Sequence, residues 1–228
     1  MPISKIEELI DKQDTVEIVR DQISAILAIE IDRQKDLAVI AGKSPLDWDI
    51  DIYSEKIRPW AILSDENGES LSETPLINVS FDNDTFDNKG SNLVESQQAR
   101  GTFYLDCYAH VNKYQDESGK LRESDTESSK DADRVARIAR NIIQAGEYTY
   151  LGLRGYVRSR NILRREKIIP SDREGLYYEQ VCATRITLQV EYNEYSLQAQ
   201  GVDLELLINN CEIGESGEII VSQQFDYT

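Results

Sequence analysis

The sequence predicts an α+β protein: a mainly antiparallel sheet flanked by a long N-terminal helix and a second helix, with a C-terminal hairpin. Three observations carry this. Apolar residues recur at three- and four-residue steps over Thr15–Ala41 and again over Ala132–Ala145. In the stretches between and after them the period changes to two. The strands come in runs split by one helix, an order that favours α+β over alternating α/β.

Each element has its own signal. Ser4 with Glu7, and Asp14 with Glu17, have capping-box spacing. After Asp14 the apolar stripe is Val19, Ile23, Ile26, Leu27, Leu37 and Ile40. Gly42 is placed to end that helix and Pro45 follows. At 1.5 Å per residue it spans roughly 40 Å, so it is expected to kink or project. Ile57–Leu63 reads as an edge strand because Pro59 cannot donate to a ladder. Residues 66–69 read as a turn, Leu76–Phe81 as a strand and Asp82–Asn92 as a loop.

Thr102–Val111 is the clearest strand. Phe103, Leu105, Cys107, Ala109 and Val111 line one face; Tyr104, Asp106, Tyr108 and His110 line the other. Gln115–Lys130 is polar and reads as a mobile insertion. Asp131 then caps the second helix, with Val135, Ile138, Ala139, Ile142 and Ile143 buried and Arg134, Arg137 and Arg140 on a more polar side. Asn161–Ile169 and Gln180–Tyr195 read as strands, and Asp203–Ile208 with Glu218–Phe225 as a hairpin around Gly214 and Gly217. The expected organisation is one domain over 1–228, with 115–130 an insertion and 200–228 a C-terminal extension.

Composition narrows the function. The formal net charge is −17 and 29% of residues are charged. A surface this acidic repels free nucleic acid, although it also lets DNA slide past without sticking. The first twelve residues lack the apolar run of a signal peptide. No run of about 18 apolar residues is present, so no membrane span is expected. Cys107, Cys182 and Cys211 are far apart and odd in number, which reads as free thiols in a reducing compartment.

The catalytic inventory is thin. His110 is the single histidine and reads as a partly exposed strand residue. The cysteines lack zinc spacing, and Gly152–Gly155 lacks a phosphate-loop pattern. Asp47, Asp49 and Asp51 alternate; on a strand they would share a face and could hold Mg²⁺ or Ca²⁺. Residues 82–86 begin like a calcium loop but put Phe86 at the third ligand position. No cofactor is expected, and the protein is read as a non-enzyme.

Charge asymmetry is more informative. Between Lys130 and Arg173 eleven basic residues stand against five acids, a net +6 that leaves −23 for the rest. In a ring of identical subunits the basic patch of one would meet an acidic patch of the next. The expected contact residues are Arg134, Arg137, Arg154, Arg158, Arg160, Arg164 and Arg165. The plain alternative is neutralisation within the chain.

The helix Thr15–Ala41, the strand in "ARGTFYLDCYAHVN", the helix "DADRVARIARNIIQA" and the strand "VCATRITLQVEY" come in an order that resembles the tail terminator (tail completion) proteins of long-tailed phages. The resemblance covers about residues 15–195 and leaves 200–228 unmatched. It implies a virion protein, assembled in the host cytoplasm, whose hexameric ring caps the tail tube. Its partners would be further copies of itself, the tail tube protein and a neck or head-completion protein. DNA would pass without specific binding. Rival readings are another neck or tail component (a head-closure or tube subunit), a Mg²⁺-dependent hydrolase on Asp47, Asp49 and Asp51, and a cytoplasmic adaptor.

Overall fold

The computed structural model describes residues 11–63, 71–87, 96–112, 114–115, 121–170, 181–195, 211–213 and 219–221. The Ser4–Glu7 capping box therefore lies outside the described residues. Helix α1 runs over Thr15–Ile40. The Asp14 N–H donates to Glu17 Oε2 at 3.1 Å, closing the predicted box. Ile18, Val19, Ile23, Ile26, Leu27 and Ile31 are buried against the sheet. The stripe stops there for the large residues: Leu37 and Ile40, read as part of it, are 46% and 81% exposed. The last turns overrun the sheet. Gly42 ends the helix at φ +67°, its N–H bonding to Val39 O and that of Lys43 to Ala38 O. That pair of bonds is a Schellman cap.

A 3₁₀ turn, Pro45–Trp48, leads into strand β1, Asp51–Ser54. The predicted strand at Ile57–Leu63 is absent. Pro59 instead begins a second 3₁₀ turn, Pro59–Ile62, where its fixed φ and missing N–H are tolerated. Strand β2 spans Leu76–Phe86 and β3 spans Ser96–Ala109, both longer than predicted. Part of the expected loop at 82–92 is strand because a bulge after Phe81 shifts the register and keeps Asn83–Phe86 paired with β3.

Two short strands follow, β4 (Tyr114–Gln115) and β5 (Leu121–Arg122). Helix α2 then covers Ser124–Gln144, two turns earlier than expected. Most of the predicted mobile insertion is therefore helix, strand or outside the described residues. The reason is polar. Ser124 Oγ donates to Val111 O at 2.6 Å, and Ser128 Oγ accepts from the Val111 N–H at 2.9 Å. Both serines are buried, so hydrogen bonds to the end of β3 anchor these turns without apolar residues.

Strands β6 (Val157–Ile168) and β7 (Cys182–Tyr195) complete the main sheet. A separate antiparallel pair is formed by β8 (Cys211–Ile213) and β9 (Ile219–Val221); Asp203–Ile208, Gly214 and Gly217 of the predicted hairpin lie outside the described residues. The five-stranded sheet has the order β1-β2-β3-β7-β6. It is mixed: β1 runs parallel to β2 and the other pairs are antiparallel. Both helices cover one face, where Ile77, Val79, Phe103, Leu105, Ile186 and Leu188 meet them in the main core. Among the described residues, no helix is long and apolar enough to cross a membrane.

Candidate assembly surface

Among the described residues the second face of the sheet carries no α-helix and is largely polar. Asp106 and Arg185 face each other across β3 and β7. The guanidinium donates twice, Nε to Oδ1 and Nη2 to Oδ2, each at 2.7 Å. The Asp106 side chain is only 5% exposed, so this pair is buried from water. The Arg185 guanidinium also lies 3.9 Å over the Tyr104 ring. Tyr104 donates to Asp82 at 2.8 Å and Tyr108 to Asp106 at 3.4 Å. Towards one end Arg100 pairs with Glu191 at 2.7 Å, and Ser159 donates to the same carboxylate at 3.0 Å. Those hydrogen bonds from Arg100 and Ser159 hold the Glu191 carboxyl below its ordinary value. At the other end Trp60, Ile62 and Leu63 pack with Leu76, Tyr108 and Ala183 in a small apolar cap.

Strand β6 forms one border of the sheet. It pairs with β7 along one side, and among the described residues nothing pairs along the other. Twelve residues long, it carries five cations against one carboxylate, a net +4. The expected contact residues divide between this strand and its surroundings. Arg158, Arg160, Arg164 and Arg165 lie on β6, Arg154 in the turn before it, and Arg134 and Arg137 on α2.

Several of these charges are matched within the chain. Arg134 pairs with Asp131 at 2.6 Å and also donates to the Asp47 carbonyl. Arg165 and Lys167 share Asp133 at 3.3 and 2.9 Å. Burial pushes the Asp133 carboxyl up, but hydrogen bonds from Lys167 and Thr184 outweigh it and leave the group below its ordinary value. Arg164 pairs with Glu166 at 2.8 Å. Arg160 donates to Ala145 O at 2.6 Å, placing a cation at the C-terminus of α2 where the helix dipole favours one. Burial lowers the Arg160 pKa from its ordinary value.

The remaining three point elsewhere. Arg158 is exposed and donates to Gln98 Oε1 at 3.1 Å. Arg154 lies 5.7 Å over the Tyr150 ring, and Arg137 is exposed. Among the described residues none of these three pairs with a carboxylate. The four arginines of β6 thus form a basic border, partly balanced from inside, while Arg134 and Arg137 belong to α2.

The other candidate residues fall apart. Asp47 sits in a 3₁₀ turn, Asp49 just after it paired with Lys35 at 2.7 Å, and Asp51 opens β1, so the three share no strand face. Among the described residues no group of three His, Cys, Asp or Glu side chains is arranged to hold a metal. Asp82 and Asp84, read as a loop, are strand residues bonded to Tyr104 and Tyr192. His110 is fully buried rather than partly exposed; just after it, the backbone of Val111 bonds Ser124 and Ser128 of α2. Cys107 is buried in the core, where burial raises its thiol pKa, and Cys182 is half-buried.

The Asp106–Arg185 pair went unread as a unit. Its signal was present: Asp106 and Arg185 each interrupt the centre of a strongly alternating strand. No protein-family model matches the sequence, and no curated protein matches it.

Proposed function

We propose that this chain is a structural subunit of a phage virion, a tail-terminator-like ring protein that caps the tail tube and joins it to the neck. The observation that carries the reading is the long basic border strand β6, net +4, on a chain of net −17. A subunit with a cationic side and an anionic remainder attracts its own kind in a fixed orientation. The polar second face supports the same reading. Its charges are paired across strands, which gives a stiff surface for contact instead of an open pocket. The proposed partners are other copies of the chain, the tail tube protein and a neck or head-completion protein.

The test is size and location. Light scattering and electron microscopy of the purified chain, alone and with tail tubes, should show rings that loosen as salt rises, since exposed charge pairs are screened beyond about 10 Å at 0.1 M. A chain that stays monomeric with tubes present and is missing from purified particles overturns the proposal.

A further inference from the structure

We infer that the projecting end of α1 docks on the β6 border of a second copy, an inference that rests on the ring reading above and names its contact. The last turns of α1 and the turn after it expose four large apolar residues: Leu37 at 46%, Val39 at 58%, Ile40 at 81% and Leu46 at 72%. Leu37 and Ile40 stand three residues apart, so they are neighbours on the helix surface. Leu46 belongs to the Pro45–Trp48 turn, which is tied back to the helix by the Lys35–Asp49 pair. Apolar residues gathered at one projecting end mark a contact with another molecule.

The occupant follows from charge. Residues 30–49 hold five acids, Glu30, Asp32, Asp36, Asp47 and Asp49, against Arg33, Lys35 and Lys43, a net −2. Arg33 engages Glu30 and Lys35 engages Asp49, which leaves the exposed Asp32, Asp36 and Asp47 to set the sign of the surface. Its match must be cationic and carry apolar residues of its own. Strand β6 does both. Its net charge is +4, and Arg158 and Arg164 are exposed. Leu163 is 54% exposed where the ladder with β7 slips, and Ile169, just beyond the strand, is 74% exposed. Ile57, between Lys56 and Arg58, offers a single apolar side chain and two cations, whereas β6 and its end offer two apolar side chains and five cations. Both patches stand exposed on the same chain, so neither covers the other within it. Two α1 ends together would set acid against acid. Each α1 end therefore meets the border of the next copy, head to tail, the heterologous pattern that can close a ring.

The experiment uses the full chain, with tail tubes added where assembly needs them. L37S/I40S should weaken self-association by about tenfold or more, with urea unfolding of the monomer unchanged because both side chains are exposed. D36K/D47K should weaken it as well, and adding R158E/R164E to the same chain should restore part of the loss. Mixing chains carrying I40C with chains carrying L163C should give, on oxidation, a two-chain disulfide that neither variant forms alone. Rings that form normally in L37S/I40S, without the cross-link, overturn the inference and leave the ring reading intact. Loss of rings in L37S/I40S with no cross-link to L163C places the α1 end on another surface and overturns the assignment to β6. A wild type that stays monomeric even with tubes overturns both readings.

Discussion

The two faces of the sheet are built from the same strands and held by opposite chemistry. On the helix side, β3 and β7 present Phe103, Leu105, Ile186 and Leu188, all essentially buried and apolar. On the other side the next residues along present Tyr104, Asp106, Arg185 and Thr187, and two of these, Asp106 and Thr187, are as inaccessible as core residues. The first face is stabilised by area removed from water and tolerates changes of similar volume. The second is held chiefly by the Asp106–Arg185 pair, and its cost appears when one partner is removed and the other is left buried.

Single and paired substitutions separate the two. Phe103→Ala should cost about 3–5 kcal/mol in urea unfolding, the usual range for an aromatic core residue. Arg185→Met should cost a comparable amount, about 3–5 kcal/mol, because it strands the Asp106 carboxylate. The distinction lies in the second change. Adding Asp106→Leu to Arg185→Met should recover much of the loss, whereas adding Leu188→Ala to Phe103→Ala should deepen it. If the paired change at the polar site is also additive, the two faces do not differ in kind.

A smaller effect tests how tightly the helix side is packed. Gly101 lies beneath Tyr192, and a Cβ there would fall 2.9 Å from Tyr192 Cε1 and 3.0 Å from Phe103 Cε2. Both rings are fully buried. Gly101→Ala should therefore cost about 1–3 kcal/mol. A neutral result in thermal unfolding would show slack in the core.

Protonation probes the charged border. Asp133 and Glu191 have folded pKa values below their ordinary 3.8 and 4.5. Their stabilisation is fully present above those values and is lost as pH falls through the depressed folded ones. Asp133→Asn should therefore destabilise near neutral pH, with the difference from wild type shrinking below about pH 4.

Glu194 has the opposite sign. Burial raises its carboxyl pKa, with the Thr15 N–H at 3.5 Å lowering it in part. Such a group is least costly below its ordinary 4.5, where it is protonated in both states, and its contribution falls as pH rises through the raised value. Glu194→Gln should then raise stability at pH 7 by roughly 0.5 kcal/mol and have no effect near pH 3. Equal stability of the two proteins at pH 7 would remove this cost from the account.

The sequence was readable wherever burial was apolar and periodic. The α1 stripe to Ile31, the Gly42 stop and the two faces of β3 follow from residue order alone. Misreadings cluster where polar groups set the structure. Ser124 and Ser128 extend α2 through hydrogen bonds to Val111, so no hydrophobic period marks those turns. Pro59 carried two meanings, border strand or first residue of a turn, and only tertiary packing of Trp60 against Tyr108 decides between them. In the predicted strand Asn161–Ile169, Arg164 and Arg165 fall on opposite faces, which suits a border strand, but Arg158 and Arg160 lie before the predicted start and belong to β6 in the structure. The intrachain partners of Arg165 and Arg160 were not legible, because Asp133 and Ala145 belong to another element.

The bulges of β6 have a consequence for symmetry. The ladder with β7 slips between Val157 and Ser159 and again between Ile162 and Arg164. Two copies of β6 laid side by side about a two-fold axis would set one irregular ladder against another and +4 against +4. An isologous dimer through this border is therefore disfavoured twice, once by geometry and once by repulsion. In the proposed ring, such a border would have to meet a different surface of the next molecule. Contacts of that kind are heterologous, and they either close into rings or continue as filaments.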